Sequence, residues 1–273
     1  MYISDYNILY INLEKDLDKN IRMKELLDKL GLSYNRIEAI YGKQLKNKQY
    51  RKKISSILDV PQVKLASSYW MDRKNFKTMT SYESAVLNKV GCYLSHLLAI
   101  QTAIDNGFDN VMILEDDIQP LSNINQSFTV PKNADIFYLG GSFFHQKQSL
   151  NPTSKKTVAI DTNFLKVNGT FAYIIPSRKK MLDIYNVLMS VFLDGKGKDK
   201  SPNFRSGNVR LRAQSIDFAY INHFQTQGSC YLVNPVMISH EEMGSNISNN
   251  RAKYKLSHIL FPQQEKKLKP YFK

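Results

Sequence analysis

Residues Asn110–Ile118 read NVMILEDDI, and the fold is legible from there outward. Val111, Met112, Ile113 and Leu114 form a short apolar run after a turn containing Gly107. A run of that length bounded by turn residues predicts a strand buried on both faces of an α/β sheet. Three carboxylates follow at once: Glu115, Asp116 and Asp117. Open α/β sheets bind ligands just beyond the carboxyl ends of their strands. Carboxylates at that edge suit a hard divalent cation, and such a cation holds a diphosphate. Side chains alternate along a strand, so Glu115 and Asp117 are expected on one face and Asp116 on another. Spacing alone fits a solvated acidic turn as well.

Immediately before the strand, Ser84–Asn106 reads as a long helix. Gly91, Cys92, Ser95, Ala99 and Ala103 place small residues at three- and four-residue steps, which lets the helix approach a neighbour closely. His96 lies within it, and a lone helical histidine is by itself most simply a structural one. Further out, Asn7–Leu13 (NILYINL) predicts a first strand. Leu17, Ile21, Leu26, Leu27 and Leu30 then follow at helical spacing, with Asp16 or Asp18 as cap and Gly31 as stop. Tyr34–Ile40 predicts a second strand. This βαβ opening fits a Rossmann-like half, and the absence of GxGxxG argues against a dinucleotide.

Lys43–Lys53 carries six bases and no acid, the pattern of a solvated helix face. Lys64–Tyr82, with the only tryptophan, Trp70, reads as irregular, so an insertion is placed at about 43–83. On the other side of the acidic triplet, Asp135–Leu139 and Gly169–Ile175 predict strands. Ser177–Leu188 predicts a helix capped by Ser177. Asp194–Arg212 has six bases against two acids and reads as a mobile basic loop. Ser215–Phe224 begins a short helix with Asp217 near its start, where an acid often serves the helix dipole. Tyr231–Ile238, interrupted by Pro235, leads to Ser239, His240, Glu241 and Glu242. Arg251–Lys273 carries seven bases and one acid, a basic tail suited to weak contact with an anionic membrane surface.

The bulk numbers bound the possibilities. The 273 residues are 42% hydrophobic, enough for a sizeable core. The net charge of +14 favours an anionic partner: a nucleotide, a membrane surface or nucleic acid. Cys92 and Cys230 are too few for a disulfide framework and read as small buried residues. The sequence shows neither a transmembrane run nor a signal-peptide pattern, so a cytoplasmic protein, peripheral at most to a membrane, is expected.

Five stretches together resemble glycosyltransferase family 25, which includes lipooligosaccharide and collagen-type galactosyltransferases. They are YINLEKDLDKNIRM, YNRIEAIYG, VGCYLSHLLAI, VMILEDDI and GTFAYIIPSRKKMLDIY. GCYLSH followed by LEDD is the specific part. Lys89 departs from the family pattern, which tends to have an acid there. The resemblance implies an α/β fold of GT-A type: a Rossmann-like single domain over residues 1–250 with a central mixed, mostly parallel sheet. It also implies a UDP-sugar donor, a divalent cation (Mn²⁺ or Mg²⁺) and inversion at the anomeric carbon. Asn12, Leu13, Arg22, Glu38, Ala39, Ser95, His96, Glu115 and Asp116 become candidates for the donor pocket. Asp117, His240 and Glu115 become candidate metal ligands, and Asp217 the candidate base.

The expected function is therefore transfer of a hexose, galactose or glucose, to a hydroxyl of a glycan, lipooligosaccharide or hydroxylysine-type acceptor. Two rivals follow from the residues themselves. A carbohydrate hydrolase with paired carboxylates would need neither nucleotide nor metal. A polyanion-binding protein would use the charge without catalysis, although the bases lack the regular aromatic interleaving of nucleic-acid binders.

Overall fold

The structure, a computed structural model, describes residues 1–59, 79–145, 157–163, 165–194 and 215–240. Its centre is a seven-stranded sheet in the order β2 (Tyr34–Glu38), β1 (Ile8–Asn12), β3 (Val111–Glu115), β9 (Ala172–Ile175), β5 (Ile136–Tyr138), β10 (Cys230–Val233) and β7 (Thr157–Ala159). β1 pairs parallel with β2 and β3, and β5 with β10. β9 runs antiparallel to both β3 and β5, and β7 antiparallel to β10. Five of the seven strands thus share a direction, and the mixed, mostly parallel α/β sheet is as the sequence predicts.

The central strands β1, β3 and β9 are apolar up to their carboxyl ends because both faces are covered. Leu9, Ile11, Val111, Ile113, Tyr173 and Ile175 point into one core cluster with α3 (Met79–Asp105), α4 (Arg178–Asp194) and α5 (Ile216–His223). Ile8, Tyr10, Met112, Leu114, Ala172 and Ile174 point into the other, with Met23 and Leu27 of α1 (Leu17–Lys29). This period-two partition is the signature of a strand buried on both sides. A buried Leu or Ile contributes about 1.5–3 kcal/mol relative to exposure, so these two layers dominate stability.

Some expectations need correction. Leu17 and Ile21 are exposed; the buried stripe of α1 is Met23 and Leu27, with Leu26 and Leu30 packed beside it. A 100° step per residue puts Ile21 on the side opposite Met23. Asp16 occupies the N-cap position of α1, but its side chain makes no capping bond. Gly31 does stop the helix, at φ +66°. Part of the insertion at about 43–83 is regular. Gly42–Lys46 is a 3-10 turn and α2 spans Lys48–Ile57, with Leu45, Ile54 and Leu58 in the core. Asn47 caps α2 by accepting from the Gln49 and Tyr50 amides. α3 starts at Met79, earlier than expected, and α4 runs on to Asp194 after the Ser177 cap.

Small residues in α3 have the predicted purpose. A Cβ on Gly91 would sit 2.6 Å from the Ile40 carbonyl oxygen, and one on Gly42 only 2.1 Å from that of Leu87. The helix and the chain leaving β2 touch backbone to backbone, which only glycine permits. Two short pairs complete the fold: β4 (Ile118–Pro120) with β11 (Ile238–His240), and β6 (Ser142–His145) with β8 (Leu165–Asn168), both antiparallel. Cys92 and Cys230 are unbridged. Among the described residues, no helix is long and apolar enough to cross a membrane. Trp70, the loop at 195–212, Glu241, Glu242 and the tail at 251–273 lie outside the described residues.

Candidate active site

A cleft opens at the carboxyl edge of β1, β2 and β3, where an open α/β sheet is expected to bind. Asn12, Leu13, Ala39, Ser95, His96, Glu115, Asp116, Asp117 and His240 all line it. Of the residues singled out in sequence, only Arg22, Glu38 and Asp217 do not. Glu38 is exposed at the end of β2.

The three acids of the triplet have diverged in role. Asp116 turns toward α1, its carboxylate accepting from Asn12 Nδ2 at 2.8 Å and from Lys19 Nζ at 3.0 Å. β3 ends at Glu115, so strand alternation does not set the directions of Asp116 and Asp117, and Glu115 and Asp117 do not share one set of neighbours. Asn12 Oδ1 in turn accepts from Arg36 Nε at 3.0 Å. Arg22 donates to the backbone carbonyl of Asp116 at 2.6 Å and to that of Ile118 at 3.3 Å. Asn12 and Arg22 therefore brace the acidic turn from behind with the side-chain groups that the donor reading assigned to a nucleotide. Ser95 is similarly occupied. Its hydroxyl donates to the Gly91 carbonyl at 2.7 Å and accepts from the Ile40 amide at 2.8 Å, clipping α3 to the end of β2.

Glu115 faces the α3 side. Thr170 Oγ1 donates to its Oε1 at 2.8 Å, and His96 Nε2 lies 3.4 Å from the same oxygen. Burial pushes the Glu115 carboxyl up, but the hydrogen bonds of His96 and Thr170 outweigh it and hold the group below its ordinary value. His96 is fully buried. Its Nδ1 is 2.9 Å from the Tyr173 hydroxyl, which accepts from the Tyr220 hydroxyl at 3.0 Å. Thr170 Oγ1 also lies 3.3 Å from Asp217 Oδ1. One hydroxyl thus sits between two carboxylates, with its shorter contact to Glu115. Burial first, and the Glu115 charge second, push Asp217 up to about 6. Lys89 acts in the opposite direction on the same group. A carboxylate poised there can accept a proton near neutral pH.

Asp117 is different again. The β4–β11 pairing sets His240 opposite Ile118 and brings its Nε2 to 3.8 Å from Asp117 Oδ2. Lys19 Nζ is 3.9 Å from the same oxygen. Asp117 Oδ1 is buried, with no hydrogen-bond partner among the described residues. Burial and the Glu115 charge push this carboxyl up to about 6, against the opposing pull of His240 and Lys19. A buried carboxylate oxygen without a donor is what a bound cation would satisfy. Cys92, His96 and Glu115 also lie within metal-ligand reach of one another, their ligand atoms all within 4.8 Å. The imidazole and carboxylate of that group already have partners, and burial pushes the Cys92 thiol well up, away from the thiolate a metal requires. Asp117 and His240 fit a hard divalent cation better, with Glu115 close enough to add charge but committed to Thr170.

Lys19, Thr170, Tyr173 and Tyr220 are among the site residues that sequence reading missed. GTFAYII carried the signal for Thr170 and Tyr173, as the stretch matching a family motif, and YINLEKDLDKNIRM contains Lys19. Nothing around Tyr220 marked it.

The family described as glycosyltransferase family 25 (LPS biosynthesis protein) matches this chain over residues 6–191. No curated protein sequence matches it. Among solved structures, it is similar to a glycosyltransferase involved in glycosylation of the major capsid of PBCV-1, with 10% identity and a TM-score of 0.41, covering 88% of this chain and 94% of that one. It is also similar to a mutant Drosophila β1,4-galactosyltransferase 7 in complex with manganese, UDP-Gal and xylobiose, with 12% identity and a TM-score of 0.36, covering 96% of this chain and 78% of that one.

Proposed function

The chain belongs to glycosyltransferase family 25, and from that membership we propose that it transfers a hexose, galactose or glucose, from a UDP-sugar to an acceptor hydroxyl with inversion. The observation that carries the donor half is Asp117 Oδ1, buried and unpartnered beside His240 in the cleft. Those two residues would hold Mn²⁺ or Mg²⁺, with Glu115 adding negative charge nearby. When bound, the cation supplies charge neutralisation to the departing diphosphate.

The protein's own groups do the remaining work. Lys19, Asn12 and Arg22 hold the acidic turn in shape, so that Asp117 presents its free oxygen without rearrangement. Asp217 takes the proton of the acceptor hydroxyl. The acceptor oxygen bonds to the anomeric carbon as its bond to UDP breaks. One displacement from the opposite face inverts the configuration. Thr170 stands between Glu115 and Asp217, with its shorter contact to Glu115 and a longer one to Asp217.

UDP release with a panel of nucleotide sugars, with and without Mn²⁺, tests this reading. Chelator should abolish release and Mn²⁺ should restore it. Undiminished turnover in excess chelator would refute the cation, and silence with every UDP-sugar would refute the donor. Cleavage of a glycoside without any nucleotide would instead favour the hydrolase.

A further inference from the structure

We propose that the basic ridge running from Lys43 along α2 is the docking surface for an anionic glycan acceptor, one bearing phosphate or carboxylate groups. The inference rests on the glycosyltransferase reading and names the class of acceptor that reading leaves open.

The ridge is a built element with a fixed relation to the cleft. Its first base, Lys43, is exposed and also lines the cleft. Gly42 beside it is locked against the backbone of Leu87 and Asn88 in α3, where no side chain fits. Leu45, Ile54 and Leu58 anchor the inner face of turn and helix in the core. Arg51 Nη1 donates to the Leu45 and Lys46 carbonyls, at 2.6 and 3.0 Å, and ties the 3-10 turn to α2. What remains outward on α2 is Lys48, Gln49, Lys52, Lys53, Ser56 and Ile57, all exposed.

Those charges have no described counter-charge. No acid occurs between residues 43 and 57, and Lys43, Lys48, Lys52 and Lys53 make no ion pair with a described residue. Lys48 and Lys52 stand at i and i+4, where like charges destabilise a helix. An anionic partner relieves that repulsion. The outward face between Lys43 and Lys53 also lacks apolar side chains. A helix that beds into a bilayer needs a whole apolar face turned outward, and here, apart from Ile57 at the last turn of α2, the apolar side chains are spent on the core. A hydrophilic polyanion whose reacting hydroxyl enters the cleft past Lys43 fits better than a membrane.

The test uses the full-length protein and a fluorescently labelled, deacylated and phosphorylated lipopolysaccharide core oligosaccharide, compared with the same oligosaccharide after phosphatase treatment. The triple variant Lys48→Gln, Lys52→Gln, Lys53→Gln keeps good helix formers, and circular dichroism checks its fold. Wild type should bind the phosphorylated form more tightly, in a salt-sensitive way. The variant should lose roughly tenfold for that form and little for the treated one. Calorimetric binding of UDP with Mn²⁺ should be the same in both proteins. If wild type does not distinguish the two oligosaccharides, or the variant loses both equally, the proposal is overturned. If the variant keeps the preference but loses binding to phosphatidylglycerol vesicles, the ridge is a membrane contact and the proposal is again overturned. Failure of every nucleotide sugar to bind would instead overturn the glycosyltransferase reading beneath it.

Discussion

Two sides of one cleft carry the same chemical group in opposite conditions. On the Thr170 side, Glu115 is held by a threonine hydroxyl and an imidazole that is itself held by a tyrosine pair. On the His240 side, Asp117 keeps a buried oxygen with no described donor. The two residues are separated by one position in the chain. Their difference teaches that a carboxylate's role at a strand end is set by what the tertiary fold brings to it. A carboxylate already held by donors is an electrostatic fixture, and one with an unpartnered buried oxygen suits a cation.

The comparison breaks most visibly at Asp217, the more distant of the two carboxylates that Thr170 touches. Asp217→Asn should lower transfer by about 10²–10⁴ while UDP and Mn²⁺ still bind, because it removes only the proton acceptor. Transfer near the wild-type rate would move the base elsewhere, with Glu241 and Glu242 the next to mutate. Asp117→Asn should instead weaken binding of Mn²⁺ and UDP together, at least about tenfold, since altering even a supporting residue around a metal typically costs that much. Calorimetry separates the two variants even when both are silent in a transfer assay. Equal binding by both would erase the distinction between the two sides.

A smaller effect concerns pH. Asp217 is lifted to about 6 from an ordinary 3.8 and must be ionised to accept a proton, so kcat/KM should fall as pH drops through about 6. The linkage to stability has the opposite sense. The folded protein holds this proton more tightly than the unfolded chain, so ionising Asp217 costs stability as pH rises from about 4 to about 6. Thr170→Val removes a hydrogen bond that lowers the Asp217 pKa, and the acid limb of the rate profile should move to higher pH. An unmoved limb in that variant would assign the limb to another group.

The smallest expected effect is at Ser95. Its hydroxyl joins two backbone groups, so Ser95→Ala should cost about 1–2 kcal/mol in chemical denaturation and leave donor affinity unchanged. A large loss of donor affinity without loss of stability would return Ser95 to the donor site.

Much of the fold was legible because its causes are local. The apolar run Val111–Leu114, the small residues of α3 and the stop at Gly31 each state their structure within a few neighbours. Periodicity over Leu17, Ile21, Leu26, Leu27 and Leu30 located the helix, but helical spacing does not say which of two faces will meet the sheet, and Leu17 and Ile21 stay exposed. The resemblance pointed to the acids at this strand end and to His96 and His240, which the fold brings into one cleft, and to Asn12, Arg22 and Ser95, whose side chains also bond within the protein.

The sequence by itself determined an α/β chain with acids at a strand end, a glycosyltransferase family signature and a strongly basic surface. These are written in contiguous residues, where propensity, alternation and composition act over one turn or one strand. Only the tertiary structure decided what each acid does. His240 reaches Asp117 through the β4–β11 pairing, and Thr170 reaches Glu115 because β9 lies antiparallel beside β3. Asp217 arrives on a helix about a hundred residues further along the chain. Hydrogen bonds and burial set the pKa values of these groups, and both depend on neighbours in space, which no local pattern encodes.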